Sequence, residues 1–543
     1  MGQDTRPFSA STRQENIDWL ASEEFDVLVI GGGITGAGIA RDAALRGFRT
    51  ALVEKGDFAG GTSSRSTRLV HGGIRYLEYG EFRLVFDACS ERRVLRQIAP
   101  RLVRPLPFLY PVYAGQRPSQ AKLRLGLLLY DTLSLFRNAQ VHRWLRPQEA
   151  QQREPLVAGR GLVGMGRYYD AQVNDARLTL LTARAAHLHG AVVVNHARVV
   201  GLMKSGGRVV GAQVVDQVTG QQVEVRARVV VNATGIWVDE VRALDAAARP
   251  MVRPTKGIHL VIPRARLDSR HAVIFASPRD RRHMFLIPWG DFALIGTTDT
   301  DYQGSLDDPA ADRADVEYLL EAARHIFPGA QLRPSDVIST FAGLRPLVAA
   351  PGSPSSVSRV HVIVEDDSGL LTITGGKLTT HRLMAAELTD RVQKRLAESF
   401  GVQACSGCRT REPLEGAQIE RAPVTTPDAA VNRHLAEAYG DEAAWVLAYA
   451  EENPALGERI VAGLPYLMAE PLYAVQHEMA LTLSDVLIRR THVIYEAVDG
   501  GLARARAVAA LLAPRLGWSK AEVERQIGDY TAQVALTRAW RDG

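Results

Sequence analysis

The sequence predicts an α/β chain that closes with an all-helical domain, and three features carry that prediction. A short apolar run at residues 25–30 is followed at once by Gly31-Gly32-Gly33-Ile34-Thr35-Gly36 and a helical stretch. Such a run suits a strand buried on both faces of a parallel sheet. The middle of the chain alternates strand-like segments with helical ones. After about residue 400 the strand signals fade and alanine-, leucine- and charge-rich stretches run to the end.

In chain order, residues 37–46 read as a helix stopped by Gly47. Residues 50–53 form a second strand ending in Glu54, which completes one βαβ unit. Strand patterns recur at 191–194, 199–202, 209–215 and 223–231, with a Thr219-Gly220 turn, and again at 259–262, 284–287 and 292–296. Helices are expected near 83–98, 121–137, 174–189 and 312–326. Residues 370–374 read as a strand leading through Gly375-Gly376-Lys377 into a helix that runs to about Ser399. A linker is expected around 407–426.

The 543 residues suggest three or four units at about 150 residues per domain. Apolar residues make up 46% and charged residues 23%, a globular balance that excludes a disordered, collagen-like or polytopic membrane chain. A net charge of +5 is too small to argue for nucleic acid, and it is compatible with anionic lipid or a phosphorylated substrate. The three cysteines, Cys89, Cys405 and Cys408, argue against a disulfide framework and favour a reducing compartment. Cys405 and Cys408 form a lone C-x-x-C without the partners a zinc site needs. The acidic first twenty residues do not read as a secretory signal, residues 1–23 read as a tail, and no run is long enough for a membrane span.

Gly31, Gly33 and Gly36, placed between strand and helix and followed by Ala40, form a dinucleotide-binding fingerprint. The first glycine permits the tight turn, the second admits a pyrophosphate, and the third lets helix and strand pack closely. Ile34 and Thr35 open the helix, whose N-terminal amides and dipole favour phosphate. Glu54 stands 18 residues after Gly36, where its carboxylate can accept ribose hydroxyls and would repel a 2′-phosphate. FAD is the expected dinucleotide. The glycine unit opens the chain, and the second strand leads into a polar run from Gly60 to Gly73 able to wrap a large cofactor.

That run, through His71-Gly72-Gly73-Ile74-Arg75-Tyr76-Leu77, resembles the FAD-dependent glycerol-3-phosphate dehydrogenases. So do Asn232-Ala233-Thr234-Gly235-Ile236-Trp237, Lys256-Gly257-Ile258-His259 and Ile287-Pro288-Trp289. Ile295-Gly296-Thr297-Thr298-Asp299, Gly343-Leu344-Arg345-Pro346-Leu347 and Gly375-Gly376-Lys377-Leu378-Thr379-Thr380 continue the series in family order. Asp485-Val486-Leu487-Ile488-Arg489-Arg490-Thr491 resembles the family's helical C-terminal domain. Two departures are visible. Arg68 stands where a lysine is common, and no calcium-binding module is appended, since the loop from Asp299 has Ala310 at its twelfth position. The resemblance is to the bacterial type, and no metal is expected.

The resemblance implies a Rossmann-like FAD-binding domain in a two-domain flavoprotein of the glycine/D-amino-acid-oxidase type. That domain is expected from residues 24–110, 190–245 and 340–398. A substrate domain with an antiparallel sheet is expected from 111–189 and 246–339, and a helical C-terminal domain from 400–543. The implied reaction oxidises sn-glycerol 3-phosphate to dihydroxyacetone phosphate, sending hydride to the flavin and electrons on to a membrane quinone. The implied FAD contacts, beyond the glycine turn and Glu54, are Thr62, Ser63, Ser64, Arg68, His71, Gly72 and Gly73 from the polar run. Later segments add Ala233, Thr234, Gly235, Trp237, Gly343, Arg345, Gly376, Lys377, Leu378 and Thr379.

A phosphate dianion needs cations, best as planar arginine forks, and Arg75 and Arg345 are the first choices, with Tyr76 beside Arg75. His259 is the expected proton acceptor for the C2 hydroxyl, with His71 as its rival and an arginine-stabilised alkoxide with water as the alternative. Lys377, at a helix start, can answer negative charge on reduced flavin or reach the substrate. Arg117, Lys122, Arg124, Arg137, Arg143 and Arg146 flank a leucine-rich stretch suited to an anionic membrane interface or, alternatively, to an ordinary core helix. The expected location is peripheral, on the cytoplasmic membrane face, with room for a homodimer. Rival readings keep the fold but use oxygen or an amine substrate, or make the chain a non-catalytic flavin-binding scaffold.

Overall fold

The computed structural model describes residues 7–246, 249–349, 360–405, 410–419 and 425–541. Two sheets organise it. In the first, strand Glu24–Ile30 is central, pairing in parallel with Thr50–Val53 on one side and Gln222–Asn232 on the other. Val192–Val194 and Leu371–Gly375 extend the parallel part outward. An antiparallel partner, His361–Glu365, closes one edge, and the meander Ala197–Ser205, Arg208–Asp216 joins the front half of Gln222–Asn232. Six of the seven residues of Glu24–Ile30 are buried, with helices packed on one face and helix Arg13–Ser22 and the meander on the other.

Helix Ile34–Leu45 is built almost wholly of small and apolar residues and packs between helices Asp175–Leu188 and His381–Phe400. The second sheet is ten-stranded and mixed. Its order runs from Thr300–Asp301 through Val252–Pro263, Phe292–Gly296, His283–Trp289 and Ala272–Ala276 to Val103–Tyr113, Leu162–Val173 and Leu69–Val70. Ser339–Val348 pairs antiparallel over its whole length with residues 252–261 of Val252–Pro263. Helix Arg313–Ile326, opened by a capping box between Asp312 and Asp315, covers one face. The C-terminal helices, from Ala429–Ala438 to Lys520–Leu536, form a further body whose core is continuous with one flank of the second sheet.

Several expectations are corrected. Residues 13–22 are no tail: helix Arg13–Ser22 docks Ile17 and Leu20 into the first sheet's core, and the Arg13 guanidinium pairs with Asp216 at 2.6 Å. Sheet membership also divides the chain differently from the expected boundaries. Val103–Tyr113 and Ser339–Val348 belong to the second sheet, whereas Asp175–Leu188 packs on the first. The leucine-rich helix ends at Leu133, before Leu135 and Phe136, whose φ angles are +55° and +53°. Within the expected linker, residues 410–419 are docked, with Leu414 and Ala417 buried. Cys408 lies outside the described residues.

Candidate active site

A cavity of about 760 Å³ begins at the carboxyl ends of the parallel strands and runs between the two sheets. At its head, Gly31 adopts φ +109°, and a Cβ there would stand 2.8 Å from the Ala233 carbonyl oxygen. Only glycine fits. The Glu54 carboxylate accepts from the Gly32 amide at 2.6 Å and the Gly56 amide at 2.8 Å. Burial raises its pKa, and those two amides oppose the rise. Ser63 Oγ accepts from the Ile34 amide at 3.0 Å, and Thr62 Oγ1 donates to the Leu344 carbonyl at 2.6 Å. The polar run therefore ties the glycine turn to the second sheet. Gly31, Gly33, Ile34, Thr35, Glu54, Thr62, Ser63, Ala233, Thr234, Gly235 and Trp237 all line the cavity.

The far half is built from the turn Ile74–Tyr79 and the paired strands Val252–Pro263 and Ser339–Val348. The Lys377 ammonium lies 3.6 Å from the Tyr76 ring centroid, and the Arg75 guanidinium carbon lies 5.5 Å from the same ring. Arg345 sits across the register from Thr255. Its guanidinium donates to Thr297 Oγ1 at 3.0 Å, the Thr298 carbonyl at 3.0 Å and Asp299 Oδ1 at 3.1 Å. Gly257 makes room for it: a Cβ there would stand 2.3 Å from Arg345 Nη2.

His259 stacks on Phe341 at 4.8 Å between centroids, with Nε2 2.9 Å from Thr67 Oγ1. Burial, then the charges of Arg345 and Arg68, lower its pKa to about 3. Burial also lowers His71, to about 4, with Asp170 opposing and Lys377, Arg75 and Arg92 adding to the fall. Both rings are therefore neutral at pH 7.

His71, Gly73, Arg75, Tyr76, His259, Gly343, Arg345, Gly376, Lys377, Leu378 and Thr379 share this cavity. Four expected cofactor contacts are not on its wall. Gly36 packs against Gly31, where a Cβ would stand 1.9 Å from the carbonyl oxygen, and Ser64 is buried behind its turn. Arg68 is buried with its guanidinium carbon 4.0 Å from the Trp289 ring centroid. The Gly72 amide donates backward, to Tyr130 Oη at 3.0 Å and Asp170 Oδ1 at 3.1 Å. The cavity also holds groups the sequence reading missed: Tyr110 and His283, 2.6 Å apart, together with Glu78 and Arg282. These lie outside the glycine-rich segments, and no local pattern marks them.

Residues 26–391 match the family model described as FAD dependent oxidoreductase, and residues 371–523 match the C-terminal domain of alpha-glycerophosphate oxidase. A glycerol-3-phosphate dehydrogenase of Mycobacterium leprae (strain TN) is 40% identical, covering 98% of this chain and 92% of the relative. The chain belongs to the FAD-dependent glycerol-3-phosphate dehydrogenase family. An aerobic glycerol-3-phosphate dehydrogenase of Staphylococcus saprophyticus is 38% identical over 96% of each chain. The glycerol-3-phosphate dehydrogenase of Bacillus halodurans, solved complexed with FAD, superposes with a TM-score of 0.79 at 32% identity, covering 98% of both chains. Glycine oxidase of Geobacillus kaustophilus shares the fold over 72% of this chain, with a TM-score of 0.54 and 21% identity. As in the rest of this dehydrogenase family, the cofactor is FAD, and the residues present fit it. The turn at Gly31 admits no side chain, and the helix that follows opens onto a cavity of about 760 Å³ through Ile34 and Thr35.

Proposed function

We propose that the chain oxidises sn-glycerol 3-phosphate to dihydroxyacetone phosphate and passes the two electrons to a membrane quinone. The observation that carries this reading is the placing of Arg75, Arg345, Lys377 and a neutral His259 on the walls of the cavity that begins at the glycine turn. The names of the relatives support the same substrate.

The turn from Gly31 to Thr35 would hold the FAD pyrophosphate and Glu54 its ribose, with Thr62, Ser63, Ala233, Thr234, Gly235 and Trp237 lining the same part of the cavity. When bound, FAD supplies the acceptor, at its N5, for the hydride that leaves C2. Arg75, Arg345 and Lys377 grip the phosphate and the developing charge, and Tyr76 orients the lysine beneath its ring. His259 takes the C2 hydroxyl proton as the carbonyl forms. Its low pKa comes from burial and from Arg345 and Arg68. A phosphate dianion beside Arg345 offsets that residue's effect, though not the larger one of burial, so substrate binding makes the imidazole more basic.

The reading also places the protein on a membrane surface. Helix Gln120–Leu133 buries Leu123, Leu127 and Tyr130 on one face and leaves Leu125 67% and Leu128 48% exposed on the other. Leu135, Phe136 and Tyr79 are exposed nearby, among Lys122, Arg124 and Arg137. An apolar, cation-rimmed face of this kind suits the interface of an anionic bilayer. No helix among the described residues is long and apolar enough to cross one. Leu125, Gly126 and Leu129 also line the cavity, which supports quinone entry from the same side.

Anaerobic mixing of the yellow protein with glycerol 3-phosphate tests cofactor, substrate and reaction together. Loss of the flavin absorbance is expected, and an unbleached flavin overturns the proposal. Hydrogen peroxide in stoichiometric yield under air would instead make oxygen the acceptor.

A further inference from the structure

The segment Asp485–Arg490 belongs to the C-terminal body and lines no part of the cavity, yet two of its side chains reach the loop that shapes the glycine turn. Asp57, three residues after Glu54, is 2% exposed. Arg490 holds its carboxylate in a two-point fork, Nη1 to Oδ2 at 2.6 Å and Nη2 to Oδ1 at 2.9 Å. Arg489 adds Nε to Oδ2 at 2.5 Å and donates through Nη2 to Asp485 Oδ1 at 2.7 Å. A buried carboxylate persists only when its charge is answered, and here the answer comes from another domain.

The loop behind Asp57 reaches the cofactor end of the cavity by short links. The Ala59 amide donates to the Gly32 carbonyl at 3.1 Å, and Phe58 stands 3.0 Å from where a Gly32 Cβ would be. Glu54 holds the amides of Gly32 and Gly56. His196 ties the same region from the other side, its amide donating to the Gly56 carbonyl at 2.7 Å and its Nε2 lying 3.0 Å from Asp485 Oδ2. Asp57, His196 and Asp485 bring ligand-type atoms within 4.8 Å of one another. Two guanidinium groups already neutralise that cluster, so it needs no metal.

We propose that Arg489 and Arg490 are positioning residues for the cofactor, clamping the 54–60 loop through Asp57 so that FAD affinity is set in part by the C-terminal domain. This rests on the reading that the turn from Gly31 and Glu54 hold FAD. Coupling between two sites is reciprocal, so if the clamp favours FAD, FAD must favour the clamp.

Hydrogen exchange of the wild-type protein with and without FAD reads this directly. The amides of Leu481 and Thr482, which donate to Asp485 Oδ2 at 2.9 and 3.1 Å, are the reporters. Removing FAD is expected to speed their exchange tenfold or more while helix Lys520–Leu536 is unchanged. Equal exchange in the two states overturns the inference. Arg489→Lys keeps the charge and loses the guanidinium bridge between Asp57 and Asp485. Its FAD dissociation constant is expected to rise at least fivefold, with a smaller change in the KM for glycerol 3-phosphate at saturating FAD. Unchanged FAD affinity overturns the inference, and if the variant does not fold, the wild-type exchange decides. Wild-type apoprotein that fails to take up FAD sinks the cofactor reading itself, whereas uptake with unchanged exchange sinks this inference alone.

Discussion

Arg345 occupies a slot cut for a planar fork, with three acceptors around its guanidinium and a glycine opposite. Lysine carries the same charge on a point and cannot hold those acceptors and a phosphate together. Arg345→Lys should therefore lower kcat/KM for glycerol 3-phosphate at least tenfold with FAD retained. Wild-type kinetics would remove the residue from the site. His259 makes a pH-dependent prediction. In the free enzyme its pKa is about 3, so kcat/KM has no histidine limb near neutrality. In the substrate complex its pKa rises, and kcat should show an acid limb that disappears in His259→Asn, along with at least a tenfold slower anaerobic flavin reduction. The fold brings both residues to the cavity wall, and both were legible from the family resemblance of the segments that carry them. Tyr110, His283 and Arg282 were not, because they reach the cavity from strands and a turn whose local pattern is only that of a sheet. Arg68 lies inside the run expected to wrap the cofactor, but its guanidinium packs on Trp289, away from the cavity wall.

Among the elements, helix Gln120–Leu133 exposes Leu125 and Leu128 beside Lys122 and Arg124 on its outer face. Replacing Leu125 and Leu128 together by Glu should abolish flotation with anionic vesicles. It should shift folding stability by no more than about 0.5 kcal/mol per site, since both side chains are exposed. Retained flotation would move the membrane contact elsewhere. The βαβ unit and the helices of the first domain were legible from periodicity. Strand Val103–Tyr113 was not: Pro105, Pro107 and Pro111 interrupt its pattern, yet it pairs with Leu162–Val173 over its whole length. Glycines at 164 and 166 weaken the signal of that partner too. Helix Arg13–Ser22 was hidden because its contacts are with a sheet folded from distant sequence, Asn195 and Asp216 among them.

The whole molecule carries several histidines that are neutral only because they are buried. His71 and His381 are lowered to about 4 and His259 to about 3, burial being the leading cause, and His492 is lowered as well. Unfolded, each would titrate near 6.5. The unfolded chain therefore binds more protons between about pH 6.5 and 4. Stability from these groups is fully present above that window and is lost as pH falls through it. Acidification from pH 7 to 5.5 should cost about 1 kcal/mol per histidine and lower the thermal midpoint, before most carboxylates titrate. A midpoint that is flat over that interval would show the rings to be charged or solvated in the folded protein.

Strand Ser339–Val348 threads every part of this arrangement. Near its start the Ser339 hydroxyl donates to the Tyr495 carbonyl, 2.7 Å away, and the Thr340 amide donates to the Thr537 carbonyl, 2.9 Å away. Its middle is zipped to the strand that bears His259, and its far end presents Arg345. One extended rod thus joins the helical body to the grip on the phosphate. A shift of the helical body against the second sheet would therefore pull on this strand and be felt at the cavity wall that carries Arg345.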